Sequence, residues 1–145
     1  MMPNKIIIDN FKHLYQALNR DTLSFDEFNS VYHNDIVFED CFHNIKGIND
    51  LYSYFDNLYE NVSFIGFDFE DEWINNDGAM LTWVMSYQHP RLNSGNLIKV
   101  KGASRLMFKD GKIRAHRDYC DGGALLYEHI PILKRVIHFL KNRLA

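Results

Sequence analysis

The chain has 145 residues, a formal net charge of −3 and 46% hydrophobic residues. That length supports a core of ordinary size without a metal or a disulfide, so we expect residues 1–145 to form a single domain. The weak negative charge argues against a nucleic-acid partner, and no apolar run reaches the roughly 18 residues that suggest a membrane span. The opening residues lack a signal-peptide pattern, which predicts a cytoplasmic protein.

The first 60 residues are mostly helical in pattern. Apolar side chains recur at helical spacing over residues 4–19, and the same spacing returns over residues 47–62. Between them, residues 24–33 are typical of a short helix and residues 35–40 of a brief strand. The apolar stripes of the two long helices consist of Ile7, Phe11, Leu14, Tyr15 and Leu18, and of Ile48, Leu51, Tyr52, Phe55 and Leu58.

From Ser63 onward the apolar pattern changes to a period of two, which predicts strands. In the first of them, Phe67, Phe69, Asp71 and Trp73 are expected to share one face. Asp-Gly pairs at residues 77–78 and 110–111 predict tight hairpin turns. The predicted strands cover residues 63–74, 79–88, 96–109 and 112–121.

Helices followed by a meander of strands predict an α+β domain. We expect a cone-shaped, strongly curved antiparallel sheet that wraps around the N-terminal helices. Apolar side chains on its concave face would form a small-molecule pocket. After Pro131 the last helix has an apolar stripe and a basic remainder, so it is expected to act as a lid over the pocket or as a dimer contact.

The last strand contains the segment "HRDYCD", residues 116–121, which concentrates reactive side chains. Strand alternation puts His116, Asp118 and Cys120 on one face, and Arg117, Tyr119 and Asp121 on the other. The chemistry of this segment depends on which of the two faces looks into the cone.

Element order, together with "FED…KGINDLYSYF", "DGKI" and "HRDYCD", resembles the nuclear transport factor 2-like superfamily and, within it, the SnoaL-like proteins. The resemblance implies a cystatin-like α+β barrel and a homodimer. Its members include ketosteroid isomerases, polyketide cyclases, a dehydratase and an epoxide hydrolase, and also modules without catalysis. The fold alone therefore does not decide between an enzyme and a binding protein.

"GKIRAHRDYCD" is similar to the last strand of limonene-epoxide hydrolases, in which the first Asp of the segment faces the pocket as an acid. This resemblance implies that Asp118 faces inward, with His116 and Cys120 beside it. The water-holding Tyr-x-Asn of those enzymes corresponds to residues 38–40, which puts Asp40 in the position of the Asn. Their Arg-x-Asp corresponds to residues 83–85, where neither charge is present, so the resemblance does not extend to that hydrolytic mechanism.

Asp118 and His116 are predicted to act as a general acid/base pair, because imidazole changes charge near neutral pH. The alternative is a buried hydrogen-bonded pair that only fixes the strand. Asp40 is a further catalytic candidate, or else a cap of the following turn. Tyr87 is expected to offer a hydroxyl to a ligand. The predicted ligand-binding residues are Phe38, Trp83, Met85, Tyr87, Gly102, Ser104 and Cys120.

No metal or cofactor is predicted, because the histidines are scattered and no ligand spacing recurs. The two cysteines, Cys41 and Cys120, are expected to be reduced thiols with a packing role. Two functions remain open at this point. One is a cofactor-free isomerase, cyclase, dehydratase or hydrolase that acts on a small apolar or amphipathic molecule. The other is a non-catalytic ligand-binding or dimeric interaction module of the same fold.

Overall fold

A computed structural model describes residues 3–19 and 21–144, so the predicted domain 1–145 extends beyond it at positions 1, 2, 20 and 145. The α-helices are α1 (Pro3–Ala17), α2 (Phe25–Val31), α3 (Ile48–Asn61), α4 (Gly122–Leu125) and α5 (Pro131–Leu144). The strands are β1 (Tyr32–Glu39), β2 (Asn44–Lys46), β3 (Phe64–Ile74), β4 (Gly78–Gln88), β5 (Ile98–Lys109) and β6 (Lys112–Cys120). No helix in the described part of the chain combines the length and apolar character that a membrane span requires.

The six strands form one curved sheet in the order β2-β1-β6-β5-β4-β3. β3 to β6 form the predicted antiparallel meander. At the turn between β5 and β6, Asp110 and Gly111 both have positive φ values, as a two-residue hairpin loop with a type I′ turn requires. The α+β class predicted from the sequence is confirmed.

β1 is the exception to the antiparallel expectation, because it pairs with β6 in parallel. In that register Phe38 lies opposite His116. A parallel neighbour cannot be joined by a hairpin, so no turn signal in the sequence marks this pairing. The pairing places the first strand next to the segment that carries Asp118.

The hydrophobic core lies between the helices and the concave face of the sheet. α1 contributes Phe11 and Leu14, α3 contributes Leu51 and Phe55, and each of these side chains is at most 5% exposed. They meet inward residues of the strands in one continuous cluster. The stripe predicted for α1 is therefore buried, and so is that of α3 except for Tyr52 and Leu58, which are half-buried against the core.

The face predicted for β3 is wrong beyond Phe69. The register with β4 shifts between Phe69 and Glu72, and Trp73 is 61% exposed. An extra residue in a strand reverses the alternation that follows it, so a period-two prediction fails past such a bulge. As a result Glu72, rather than Trp73, lies against α1, where it pairs with Lys5 and Lys12.

The Glu72 ion pairs are expected to make the attachment of α1 to β3 dependent on pH. Burial alone would raise the pKa of the Glu72 carboxyl, but hydrogen bonds from Lys12 and Lys5 outweigh it and lower that pKa below its usual value. A lowered folded-state pKa stabilises the protein above the unfolded-state pKa, and this stabilisation is lost as pH falls through the folded-state pKa. We predict that Glu72→Gln reduces the free energy of unfolding slightly at pH 7, and that the difference from wild type shrinks as the pH approaches 3.

Urea unfolding at several pH values measures this difference. Glu70→Gln on the same strand is the matched control, because Glu70 is exposed and the ion pairs with Lys5 and Lys12 belong to Glu72. A constant difference between Glu72→Gln and wild type across this pH range would contradict the prediction.

Candidate functional site

A cavity of about 340 Å³ lies inside the cone, between the sheet, α1, α3 and the chain after β6. Its walls are mainly aromatic and aliphatic, as in most small-molecule sites. Several of its rings meet edge to face, such as Phe67 with Trp83 and Tyr15 with Phe55. Leu125 and Leu126 line it near α4, whereas none of the residues of α5 does. The last helix does not line this cavity, and its two expected roles, a lid or a dimer contact, stay predictions.

Seven of the ten predicted site residues line this cavity: Phe38, Asp40, Trp83, Met85, Tyr87, Asp118 and Cys120. The other three, Gly102, Ser104 and His116, lie behind that wall. Gly102 has no side chain, and the Trp83 indole fills the space in front of it. Ser104 and His116 are each only 2% exposed because neighbouring rings cover them. These three residues thus lie one layer behind the cavity surface, and the roles predicted for them, catalysis for His116 and ligand binding for Gly102 and Ser104, stay predictions.

Asp118 occupies the cavity wall, and its side chain is 20% exposed. Its Oδ1 lies 2.6 Å from Nε2 of His116 and accepts a hydrogen bond from Oγ of Ser104, also at 2.6 Å. Oγ of Ser104 in turn accepts a hydrogen bond from the Trp83 indole at 2.9 Å, and because an indole N–H can only donate, the Ser104 hydrogen remains for Asp118. No described residue donates to Oδ2 of Asp118, which leaves that oxygen for a ligand.

Behind Asp118, a line of hydrogen bonds continues into the core. Nδ1 of His116 lies 2.8 Å from the Tyr32 hydroxyl, which lies 2.6 Å from the Tyr15 hydroxyl. The rings of Tyr32 and His116 are stacked, and Phe38 packs edge-on against the imidazole. Burial is the main cause that raises the pKa of the Tyr15 and Tyr32 phenols well above their usual value, so both remain protonated across the ordinary pH range.

Asp40 follows β1 at the mouth of the cavity. Its Oδ1 accepts hydrogen bonds from the backbone N–H groups of Phe42 at 2.9 Å and His43 at 2.7 Å. Asp40 therefore caps the following turn, which is one of the two roles predicted for it. The Tyr54 hydroxyl donates to Oδ2, and His43 Nδ1 lies 3.1 Å from Oδ1. Burial, and then the hydrogen bond to Asp40, raise the pKa of the Tyr54 phenol. Both oxygens of Asp40 are thus engaged, unlike those of Asp118.

Tyr87 lines the cavity, but its hydroxyl donates to the backbone carbonyl of Leu125. The expected free hydroxyl is therefore used to hold the segment after β6 against β4. This contact closes one side of the cavity with Leu125 and Leu126.

The cysteines contradict the expectation of separate reduced thiols, because Cys41 and Cys120 form a disulfide across 79 residues of sequence. The parallel pairing of β1 and β6 explains their proximity, since Cys41 follows the first strand and Cys120 ends the last. Cys41 follows Asp40 along the chain, and Cys120 forms part of the cavity wall. Disulfides persist mainly in oxidising compartments, so the bridge does not favour the cytoplasmic location, which stays a prediction.

Several polar residues of the site escaped the sequence analysis. Tyr32 was expected near the end of a helix, whereas it begins β1 and contacts His116. His43, Tyr54 and Tyr59 also line the cavity. Tyr54 and Tyr59 lie on α3 but outside its predicted apolar stripe, so the sequence signal for them was the presence of three tyrosines in that helix.

The family model of the SnoaL-like domain matches residues 11–116. The chain belongs to the SnoaL-like family. The matched segment includes the second half of α1, all of α3 and most of the sheet, and it ends two residues before Asp118.

Solved structures similar to this SnoaL-like chain have low sequence identity. One is described as a candidate SnoaL-like polyketide cyclase from Jannaschia sp. CCS1, at 12% identity and TM-score 0.76, covering 90% of this chain and 94% of the other. A protein with a ketosteroid isomerase-like fold from Catenulispora acidiphila DSM 44928, in complex with trimethylamine, has 11% identity, coverage of 85% and 91%, and TM-score 0.71.

A third structure, an LEH-like epoxide hydrolase from M. tuberculosis, has 17% identity, coverage of 97% and 96%, and TM-score 0.67. At such identities these three likenesses establish the fold of the SnoaL-like chain and nothing about its activity. A search of the curated proteins finds no match.

The close approach of Gly102 to Trp83 generates a prediction for this SnoaL-like protein. A Cβ added at Gly102 would lie 2.7 Å from Cζ2 and Cζ3 of the indole, closer than real packing allows. We predict that Gly102→Ala destabilises the protein by about 1–3 kcal/mol, as overpacking does, in urea unfolding. The double variant Gly102→Ala/Trp83→Phe should lose less free energy of unfolding than the two single variants lose in sum. Strictly additive losses would contradict the contact between Gly102 and Trp83.

The disulfide generates a second prediction. The free energy of unfolding of Cys41→Ser/Cys120→Ser should be about 2–5 kcal/mol lower than that of the oxidised wild-type protein, because the bridge restricts a long loop in the unfolded chain. Dithiothreitol should lower the wild-type stability to that of the double variant and leave the variant unchanged. Thiol titration of unreduced, denatured wild-type protein is the direct check, and two free thiols there would disprove the bridge.

Proposed function

We propose that this SnoaL-like protein is a cofactor-free enzyme of the isomerase, cyclase, dehydratase or hydrolase type. It would transfer protons to or from a small apolar or amphipathic molecule, with Asp118 and His116 as the acid/base pair. One observation carries the proposal: a carboxylate paired with a buried imidazole at 2.6 Å keeps its second oxygen free at the wall of an apolar cavity.

The surroundings of Asp118 suit proton transfer. Ser104 and His116 hold Oδ1 from two directions, so the carboxylate has a fixed orientation before any ligand arrives. Pre-oriented groups in a site that excludes water avoid reorganisation during the reaction.

The walls of the cavity favour one class of ligand. A volume of about 340 Å³ lies at the low end of the range for small-molecule sites, and most of the lining is apolar. Among the described residues, the Tyr59 hydroxyl is a buried polar group without a hydrogen-bond partner. A buried donor without an acceptor costs about 1–3 kcal/mol, which an oxygen of a ligand would offset. These features support a compact ligand with a carbonyl, hydroxyl or ether oxygen.

A non-catalytic binding module is the second candidate. It is favoured by Trp83 and Met85, which line the cavity where limonene-epoxide hydrolases have their charged pair. It is favoured also by Asp40, whose oxygens are both engaged in the loop and by Tyr54. The cavity and its orphan hydroxyl would serve such a module equally well, so turnover decides between the two functions.

We also propose that the protein forms the homodimer implied by its family resemblance. The apolar side chains Ile132, Val136, Phe139 and Leu140 of α5 are between 49% and 77% exposed. Contiguous exposed apolar surface is typical of contact sites. Of the two roles predicted for α5, a contact with a second copy is the one that this exposed surface supports.

The enzyme proposal is tested with Asp118→Asn, which preserves size and removes the acid/base group. Against a panel of enones, epoxides and polyketide-like ketones, we expect kcat/KM of the variant to fall at least about 100-fold for any compound that the wild type converts. Asp68→Asn, an exposed change on β3, is the control and should retain full activity.

Native mass spectrometry of the purified proteins completes the test. Binding of panel compounds without turnover by the wild type would favour the binding module. Equal turnover by wild type and Asp118→Asn would contradict the role of Asp118.

A further inference from the structure

The permanently charged side chains that line the cavity are all negative. Asp40 and Asp118 are the two carboxylates of its wall, and no lysine or arginine among the described residues lines it. His43 and His89 also line it, but an imidazole is charged only when it is protonated. The whole chain has 16 lysine and arginine residues, so a class of side chain that is common elsewhere in the protein is missing from this wall.

The carboxylate of Asp118 is compensated on one side only. Ser104 and His116 both contact Oδ1, whereas no described residue donates to Oδ2. The side chain is only 20% exposed, so its access to water is restricted. A charge in such a place is costly unless hydrogen bonds or an opposite charge compensate it. A positive group of a ligand at Oδ2 would supply that compensation.

Asp40 adds a second negative charge to the same wall. Its oxygens accept hydrogen bonds from the backbone N–H groups of Phe42 and His43 and from the Tyr54 hydroxyl, and these neutral donors do not cancel the charge. Burial is the first cause of the raised pKa of the Tyr54 phenol, followed by Asp40, and the charge of Asp118 adds to them. Tyr54 therefore lies within electrostatic reach of both carboxylates.

Much of the remaining wall is aromatic. Nine of the described lining residues are Phe, Tyr or Trp. The negative face of an aromatic ring attracts an organic cation, most strongly for Trp, and the attraction grows where water is excluded. Trp83 lies near Asp118, because both side chains are hydrogen-bonded to the Ser104 hydroxyl. A cation at Oδ2 of Asp118 would therefore have aromatic side chains around it as well.

The same wall is unfavourable for an anionic ligand. A carboxylate, phosphate or sulfonate group would be repelled by Asp40 and Asp118. It would also find no lysine or arginine in the described lining with which to pair. A neutral ligand would not be repelled, but it would leave the charge of Asp118 without a partner. A cation is the one charge class that both the carboxylates and the aromatic rings favour.

We propose that the ligand of this cavity is a compact organic cation, a protonated amine or a quaternary ammonium, whose positive charge lies at Oδ2 of Asp118 among the aromatic side chains. The inference rests on the proposed function, because it takes Asp118 as the group that meets the ligand, and it extends that function to the charge of the ligand. The oxygen that would suit the unpaired Tyr59 hydroxyl belongs to the same molecule. The ligand class is therefore an amine that also carries a carbonyl, hydroxyl or ether oxygen.

Isothermal titration calorimetry with ligands of matched shape tests the charge directly. The compounds meta-hydroxyphenyltrimethylammonium and meta-tert-butylphenol have nearly the same shape and one hydroxyl each, and they differ by one positive charge. For the wild-type protein at pH 7 we expect the cation to bind at least about 10-fold more tightly than the phenol. The anion meta-hydroxybenzoate should bind more weakly than the phenol.

Asp118→Asn separates the contact at Oδ2 from the overall charge of the protein. The variant preserves the size of the side chain and the apolar wall. We expect it to bind the cation about 10-fold more weakly than the wild type does, and to change the affinity for the phenol less than about 3-fold. Asp68→Asn removes an exposed carboxylate from β3, and as the matched control it should leave both affinities unchanged.

Each other outcome overturns the inference. Binding of the phenol as tightly as the cation by the wild type would show that the pair of Asp118 and His116 carries no net charge toward the cavity. Binding of none of the three compounds would exclude the class of ligand. An equal loss of cation affinity in Asp118→Asn and Asp68→Asn, or no loss in either, would show that Oδ2 of Asp118 is not the contact. The first two results come from the wild type alone, so they hold even where Asp118→Asn does not fold.

Turnover separates this inference from the proposed function. If the wild type prefers the cation through Asp118 and converts no compound of the panel, the inference stands and the protein is a binding module. If Asp118→Asn loses the turnover of a compound while the wild type binds the cation and the phenol equally, the proposed function stands and the inference is wrong.

Discussion

The parallel pairing of β1 with β6 is the interaction on which the site depends. It puts Phe38 opposite His116 and brings Tyr32 into stacking contact with the same imidazole. It also brings Cys41, two residues after β1, beside Cys120 at the end of β6, where the disulfide joins them. Without this pairing, His116 would lose its phenol partner, and Asp40 would lie elsewhere than at the mouth of the cavity. A few non-local backbone hydrogen bonds thus assemble side chains that are about 80 residues apart in sequence.

The features that could be predicted from the sequence are those that depend on interactions between neighbouring segments of the chain. The meander β3 to β6 was predictable because its strands are consecutive and its turns carry their own signals, such as Asp110-Gly111. The face of β6 was predictable too, and Asp118 does line the cavity. A bulge in β3 defeated the same alternation rule at Trp73, because one extra residue leaves no mark in the apolar pattern.

The unpredicted part of the site consists of contacts between distant elements. The partners of His116 come from α1 and β1, and no local periodicity relates Tyr15 and Tyr32 to residue 116. The cysteines show the same limit, since a separation of 79 residues has no recognisable spacing. Gly102 and Ser104 lie on the expected face but one layer behind the cavity surface, and the sequence does not reveal that the Trp83 indole covers both.

Trp83 combines two functions in one side chain. Its ring fills the space in front of Gly102 and forms part of the cavity wall, while its N–H fixes the Ser104 hydroxyl that holds Asp118. A smaller residue there would deepen the cavity for a larger ligand, but it would also release the hydroxyl from its donor and let the carboxylate reorient. A substitution of Trp83 therefore changes the size of the cavity and the orientation of the Asp118 carboxylate together. A lineage that changes its ligand through this position must rebuild the hydrogen bonds behind it at the same time.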